Sequence, residues 1–210
     1  MASELTSKGA ATRARIVEAA ADLVAHKGAA NMSLDDVGHA TRTSRSQLFH
    51  YFPGGRTELI RAVAAYQAGR TIQDQQPYLS DLTSWSAWEA WAEQLVGVAA
   101  SEAMVGGCRI GSLVAQLGHT DLEARTIVAA AFEQWQGLLA DGIRAMQATG
   151  QIEPTVDANA LALATLATIQ GGLLLTQSTG SPAPFRTAMD QALTHLRSFA
   201  APTRPARRRP

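Results

Sequence analysis

TSRSQLFHYFPGGRTEL, residues 43–59, holds a helix-forming run too short before its proline to serve as a core helix. Its side chains therefore need another explanation. Ser44 followed three residues later by Gln47 has the S-x-x-Q form of a capping box, in which the serine oxygen accepts an orphan amide of the first turn. Pro53 ends the helix, because the residue before a proline is pushed out of the α region, and Gly54 and Gly55 follow at once. Leu48 and Phe52, four residues apart, supply one apolar side. Arg45, Ser46, Gln47, His50 and Tyr51 are left for something outside the core.

Upstream, Ser33-Leu34-Asp35-Asp36 is a second capping signal, starting a helix that runs to about Ala40. Before it, Ile16, Ala20, Leu23 and Val24 mark one face of a helix from Thr12 to Lys27, which Gly28 stops. Three helices with a tight turn between the second and third have the spacing of a helix-turn-helix, whose last helix enters the major groove of DNA. That groove, about 12 Å wide, admits one short helix with a single face reaching the bases. Gln47 carries two readings, a base contact and the cap of its own helix. Arg56 and Thr57 open the following helix, where backbone amides attract phosphate. Lys8, Arg13 and Arg15 suit neutralisation of the DNA backbone.

The rest of the chain is helical as well. A helix from about Arg56 to Gln75 carries Leu59, Val63 and Tyr66 on one side; Trp85, Trp88, Trp91, Ala92, Leu95 and Ala99 form a stripe over 85–104. A longer stripe runs through Val128, Phe132, Trp135, Leu139, Ile143 and Met146 between Asp121 and Ala148. Gly150 and Pro154 separate it from a helix over Asp157–Gln177, and a last helix bears Phe185, Met189, Leu193, Leu196 and Phe199. No segment alternates with period two for long enough to argue a strand. The expected fold is all-α, with a DNA-binding domain over residues 1–55, a helical ligand-binding and dimerisation domain over 56–200, and a disordered basic tail over 201–210. The tryptophans fit a packed core, and they also fit the wall of an apolar cavity in which Gln116, His119, Gln170 and Gln177 orient a molecule. Ala160, Ala164, Ala167, Gly171 and Gly172 let another helix approach closely, either within the subunit or across a dimer.

Charge is unevenly spread: residues 1–70 hold nine Lys and Arg against six Asp and Glu, residues 71–200 five against twelve, and the last ten residues four arginines and no acid. A basic module joined to an acidic one has nucleic acid as its expected partner. The single cysteine, Cys108, excludes a disulfide framework, and the N-terminus lacks the layout of a secretory signal, so the expected compartment is the cytoplasm. Residues 158–175 are apolar but interrupted by Asn159, Thr165, Thr168 and Gln170, which favours a buried helix over a membrane span. The rival classes are an architectural DNA-binding protein without a ligand and an all-helical enzyme. For the enzyme, the histidines at 26, 39, 50, 119 and 195 have no metal spacing, and neither G-x-S-x-G nor a phosphate loop occurs. No cofactor is expected.

Ser44-Arg45-Ser46-Gln47-Leu48-Phe49-His50-Tyr51-Phe52-Pro53 resembles the signature of the TetR family of bacterial repressors, and the match extends back through Ile16, Ala19, Leu23, Gly28 and Ser33. FPGGRTEL and GCRIGSLVAQL, the latter ending at Leu117, resemble the LmrA/YxaF-like branch of that family. The resemblance implies a homodimer that binds a near-palindromic operator and is released by a small apolar or aromatic effector. It places Arg45, Gln47 and His50 on bases, Phe49 and Tyr51 on phosphate, and Ser33, Ser44, Ser46, Arg56 and Thr57 in the same DNA-binding set. The expected effector set is Trp88, Met104, Cys108, Gln116, Phe132, Trp135, Met146 and Gln170; the expected dimer set is Leu166, Ile169, Leu173, Phe185, Met189 and Leu196. Two departures stand out. Phe49 replaces a typical tyrosine and so lacks a hydroxyl for phosphate. Arg42 stands where glycine is typical in the turn, and a left-handed backbone there costs a non-glycine residue roughly 1 kcal/mol or more.

Overall fold

The structure is a computed structural model that describes residues 6–101, 107–117 and 121–202. Among the described residues there are nine α-helices and no strand beyond one bridge between Ile152 and Ala200. The helices are α1 Ser7–Lys27, α2 Leu34–Thr41, α3 Arg45–Tyr51, α4 Gly55–Gln73, α5 Trp85–Ala100, α6 Arg109–Leu117, α7 Leu122–Ala148, α8 Ala158–Thr179 and α9 Ala183–Arg197. The all-α expectation holds. Met104, His119 and all but the first two residues of the basic tail lie outside the described residues.

Helix ends follow local chemistry. The Thr6 hydroxyl accepts the N–H of Gly9 at 3.2 Å, so α1 begins ahead of the expected Thr12. Gly28, at φ 81°, closes it by donating to the Val24 carbonyl at 2.9 Å. Asp157 caps α8 through the amides of Asn159 and Ala160. Helix α6 has too few residues for its apolar spacing to stand out; burial of Ile110 and Leu113 is what secures it.

The chain packs as two compact units, one made of Met1–Asp74 with Gly106–Phe132 and the other of Gln75–Val105 with Glu133–Pro210. In the first, Ile16, Ala20 and Val24 of α1 meet Val37, Leu48, Phe52, Leu59 and Val63 in a buried core. Helix α4 packs on α1 and α6. In the second, Trp88 and Trp91 are fully buried with rings edge to face at 5.6 Å, and each indole is hydrogen-bonded, Trp88 to the Leu82 carbonyl and Trp91 to Gln75. Gly142 lets the 79–82 segment lie against α7, since a Cβ there would stand 2.6 Å from that of Leu82.

Helices α8 and α9 form the densest pairing. At Gly172 a Cβ would stand 2.5 Å from that of Ala188, so the small side chain is required by α9 within the subunit. The Thr176 hydroxyl accepts the Phe185 N–H at 3.1 Å across the turn. Leu166, Ile169, Leu173, Phe185, Met189 and Leu196, the expected dimer residues, are all buried inside the subunit, and this corrects their assignment. Besides the polar Asn159, Gln177, Ser178 and Thr179 near its ends, α8 leaves exposed another set, Ala160, Leu163, Ala164, Ala167, Gly171, Leu174 and Leu175, recurring at helical spacing along one side. Helix α8 is also the one described helix long and apolar enough to cross a membrane, by length and composition only.

Candidate nucleic-acid interface

Two capping boxes set the directions of α2 and α3. At α2 the Ser33 Oγ accepts the Asp36 N–H at 3.1 Å, while the Asp36 carboxylate accepts the Ser33 N–H at 3.1 Å. Lys27 adds an ion pair at 2.9 Å, and these donors lower the Asp36 carboxyl to about 2, with Lys27 the largest cause. At α3 the Ser44 Oγ accepts the Gln47 N–H at 3.3 Å and the Gln47 Oε1 accepts the Ser44 N–H at 3.0 Å. The oxygen of Gln47 is therefore committed to its own helix, and its amide nitrogen is the part left to face outward.

Between the helices, Arg42 takes φ 52° and ψ 40°, the left-handed conformation anticipated from its replacement of glycine. A residue that sequence alone did not single out makes the turn possible. Gly38 accepts the Thr43 N–H at 3.0 Å, and a Cβ on it would lie 3.0 Å from the Thr43 carbonyl and 3.6 Å from Leu48. Leu48 and Phe52 are buried as expected, fixing α3 in the unit. Arg45, Ser46, Gln47, Phe49 and His50 are exposed, and Tyr51 is half-buried with its ring edge-on to His50. Phe49, 42% exposed, lies beside Gly55, whose φ of 63° would strain any residue with a Cβ, and that Cβ would stand 3.3 Å from the Phe49 ring. Arg45 lies 3.7 Å from Asp35, a solvated pair of little energetic weight.

Beside α3 the surface sinks into a cleft of about 830 Å³, lined by Thr6, Lys8, Thr12, Arg13, Arg15 and Arg42 together with Gln47, His50 and Tyr51. Two of its cations have internal roles. Arg13 stacks 4.8 Å above the Phe52 ring, and Arg15 donates to the Thr41 carbonyl. Arg56 departs from expectation. Its guanidinium donates to the carbonyls of Met32, Ala29 and Ala30, so it clamps the segment before α2 rather than facing phosphate. Thr57 is exposed on the first turn of α4. Gln116 is likewise committed: its Oε1 accepts the Ala29 N–H, which ties α6 to the same segment and takes it out of the effector set.

The remaining effector candidates separate. Cys108 is buried and Phe132 half-buried in the first unit. In the second, Trp88 and Met146 are fully buried and belong to the core. Trp135, 2% exposed, differs from Trp88 and Trp91: its indole N–H is buried without a hydrogen-bond partner, as is the side-chain nitrogen of Gln170.

A capped helix, a tight left-handed turn and a second helix with polar residues outward beside a basic cleft define a helix-turn-helix DNA-binding module. Residues 16–63 match the family of bacterial regulatory proteins named for tetR, and residues 87–192 match the tetracyclin repressor-like C-terminal domain. The chain belongs to the TetR family of bacterial regulators. An uncharacterized HTH-type transcriptional regulator of Mycobacterium tuberculosis is 29% identical over 176 residues, covering 78% of this chain and 82% of that one. In fold the chain is similar to a TetR transcriptional regulator from Chloroflexus aurantiacus, with a TM-score of 0.81 at 24% identity, covering 94% of this chain and 100% of that one. A TetR-family regulator from Cytophaga hutchinsonii gives a TM-score of 0.81 at 19% identity over 95% of this chain and 100% of that one. The protein is a DNA-binding transcriptional regulator and not an enzyme.

Proposed function

We propose that this regulator binds a near-palindromic operator as a homodimer and represses until a small molecule releases it. On this reading residues 1–55 read DNA in the cytoplasm and residues 56–200 bind the effector and the second subunit. Arg45, His50 and the Gln47 amide nitrogen contact bases; Tyr51, Ser33, Ser44, Ser46 and Thr57 contact the backbone. The exposed apolar side of α8 supports the dimer, since seven small or leucine side chains in line suit close approach of a second copy. The segments Phe52–Leu59 and Cys108–Leu117 support a place in the LmrA/YxaF-like branch.

The ligand response rests on one observation, the buried and unpartnered donors of Trp135 and Gln170. A buried N–H without an acceptor costs about 1–3 kcal/mol, and an effector bearing a carbonyl, phenol or carboxylate oxygen recovers it. On this reading the effector is an aromatic or apolar molecule that brings an acceptor oxygen to one of these donors.

The test selects an operator from randomised duplexes, then titrates candidate effectors while following tryptophan fluorescence and operator affinity together. Coupling of about 1–3 kcal/mol gives a five- to 150-fold loss of affinity. Quenching with unchanged operator affinity would refute release by that ligand, and a monomer footprinting one half-site would refute the dimer.

A further inference from the structure

We propose that Arg42, in the turn between α2 and α3, is a ligand for a DNA backbone phosphate; this rests on the DNA-reading face described above. Arg42 is the only non-glycine among the described residues with positive φ. Such a conformation is disfavoured for a side chain with a Cβ and persists only where its surroundings fix it. Here they do so from every side. The Arg42 N–H is held by the carbonyls of Gly38 and His39. The flanking Thr41 and Thr43 are buried, and their hydroxyls bond to each other at 2.9 Å across Arg42. Arg15 holds the Thr41 carbonyl, and the Thr43 N–H reaches Gly38.

The turn is thus rigid while the side chain it carries is exposed and lines the basic cleft. Of the cleft's three arginines, Arg13 is engaged with Phe52 and Arg15 with Thr41, whereas no described acid or carbonyl holds the guanidinium of Arg42. The one acid lining the cleft, Glu58, accepts the Gly54 N–H at 2.8 Å. Arg42 precedes the cap of α3 and so stands beside the recognition helix rather than on its outward face. That position meets the sugar-phosphate rail bordering the groove that α3 enters, and a planar guanidinium matches two phosphate oxygens at once. A glycine would make the same turn without strain, and the arginine adds a charge on a fixed backbone.

The experiment compares wild type, Arg42→Gly, Arg42→Gln and Arg42→Lys on a mixed-sequence duplex and on the selected operator across a salt series, with thermal melting alongside. Losing one phosphate contact lowers the salt slope by about 0.9 per subunit and affinity about four- to eightfold between 0.2 and 0.1 M salt. Arg42→Gly and Arg42→Gln show this loss on both duplexes, Arg42→Lys retains most of the affinity, and Arg42→Gly melts no lower than wild type because the strain is relieved. Unchanged affinity and slope in Arg42→Gly and Arg42→Gln would overturn the proposal. So would a loss confined to the operator, which marks a base contact, or a lower melting point in Arg42→Gly, which marks a structural role. Wild type that bound neither duplex would instead remove the DNA-reading face itself, and Arg42's role with it.

Discussion

Helices α3 and α8 both present a face to solvent, but they do so from opposite compositions. In α3, seven residues hold a single well-buried side chain, Leu48, with Phe52 just beyond the end, so the polar side can only face outward. In α8, leucines and alanines surround the axis over twenty-two residues, and every side is apolar enough to be buried. The inward side is chosen by packing within the subunit: α9 closes on Gly172, and Leu166, Ile169 and Leu173 are buried, while Leu163, Leu174 and Leu175 stay more than half exposed. A helix with one apolar stripe carries its own orientation; one that is apolar all round takes its orientation from its neighbours.

The sharpest way to break this comparison lies within α8 itself. Leu173→Ala should destabilise the subunit by about 2–5 kcal/mol, read by chemical denaturation, because it opens a cavity at a buried position. The neighbouring Leu174→Glu should leave the subunit folded but weaken dimerisation in sedimentation by about 1.5–3 kcal/mol per exposed leucine replaced. Equal effects of the two would mean that α8 has no distinct outer face.

Arg56→Ala comes next. Loss of its bonds to three carbonyls should cost about 1–3 kcal/mol of stability. Once the variant is kept folded by low temperature, its salt slope on DNA should match wild type; a reduced slope would return Arg56 to the phosphate set.

On α3, Arg45→Ala should relax sequence preference by about 1–3 kcal/mol, read as the ratio of operator to mixed-sequence affinity. Gln47→Ala and Gln47→Glu divide the two roles of that residue, since glutamate also completes a capping box. Alanine should cost about 1 kcal/mol of stability and glutamate little, while both should lose any base contact made by the amide nitrogen.

The smallest effect concerns Asp36. Its folded carboxyl lies at about 2 against an ordinary 3.8, so the stabilisation it gives α2 is complete above the ordinary value and lost as pH falls through about 2. Titration of Asp36 by NMR should show the low value, and Lys27→Ala should raise it. The side chain is solvated, so added salt should weaken the Lys27 part.

The sequence by itself determined the helix starts at Ser33 and Ser44, the stop at Gly28 and the apolar pair Leu48 and Phe52, while the left-handed strain at Arg42 was legible only through the family resemblance. Each depends on atoms within a few residues along the chain, where backbone geometry leaves few choices. Only the tertiary structure decided what the long polar side chains hold: Arg56 reaches Met32, Arg15 reaches Thr41, and Gln116 reaches Ala29 from 87 residues away. The same holds for which leucines of α8 face out. A cap is closed by its own turn, whereas a guanidinium, an amide or one side of an apolar helix takes whichever partner packing brings to it, and spacing along one chain carries no record of that partner.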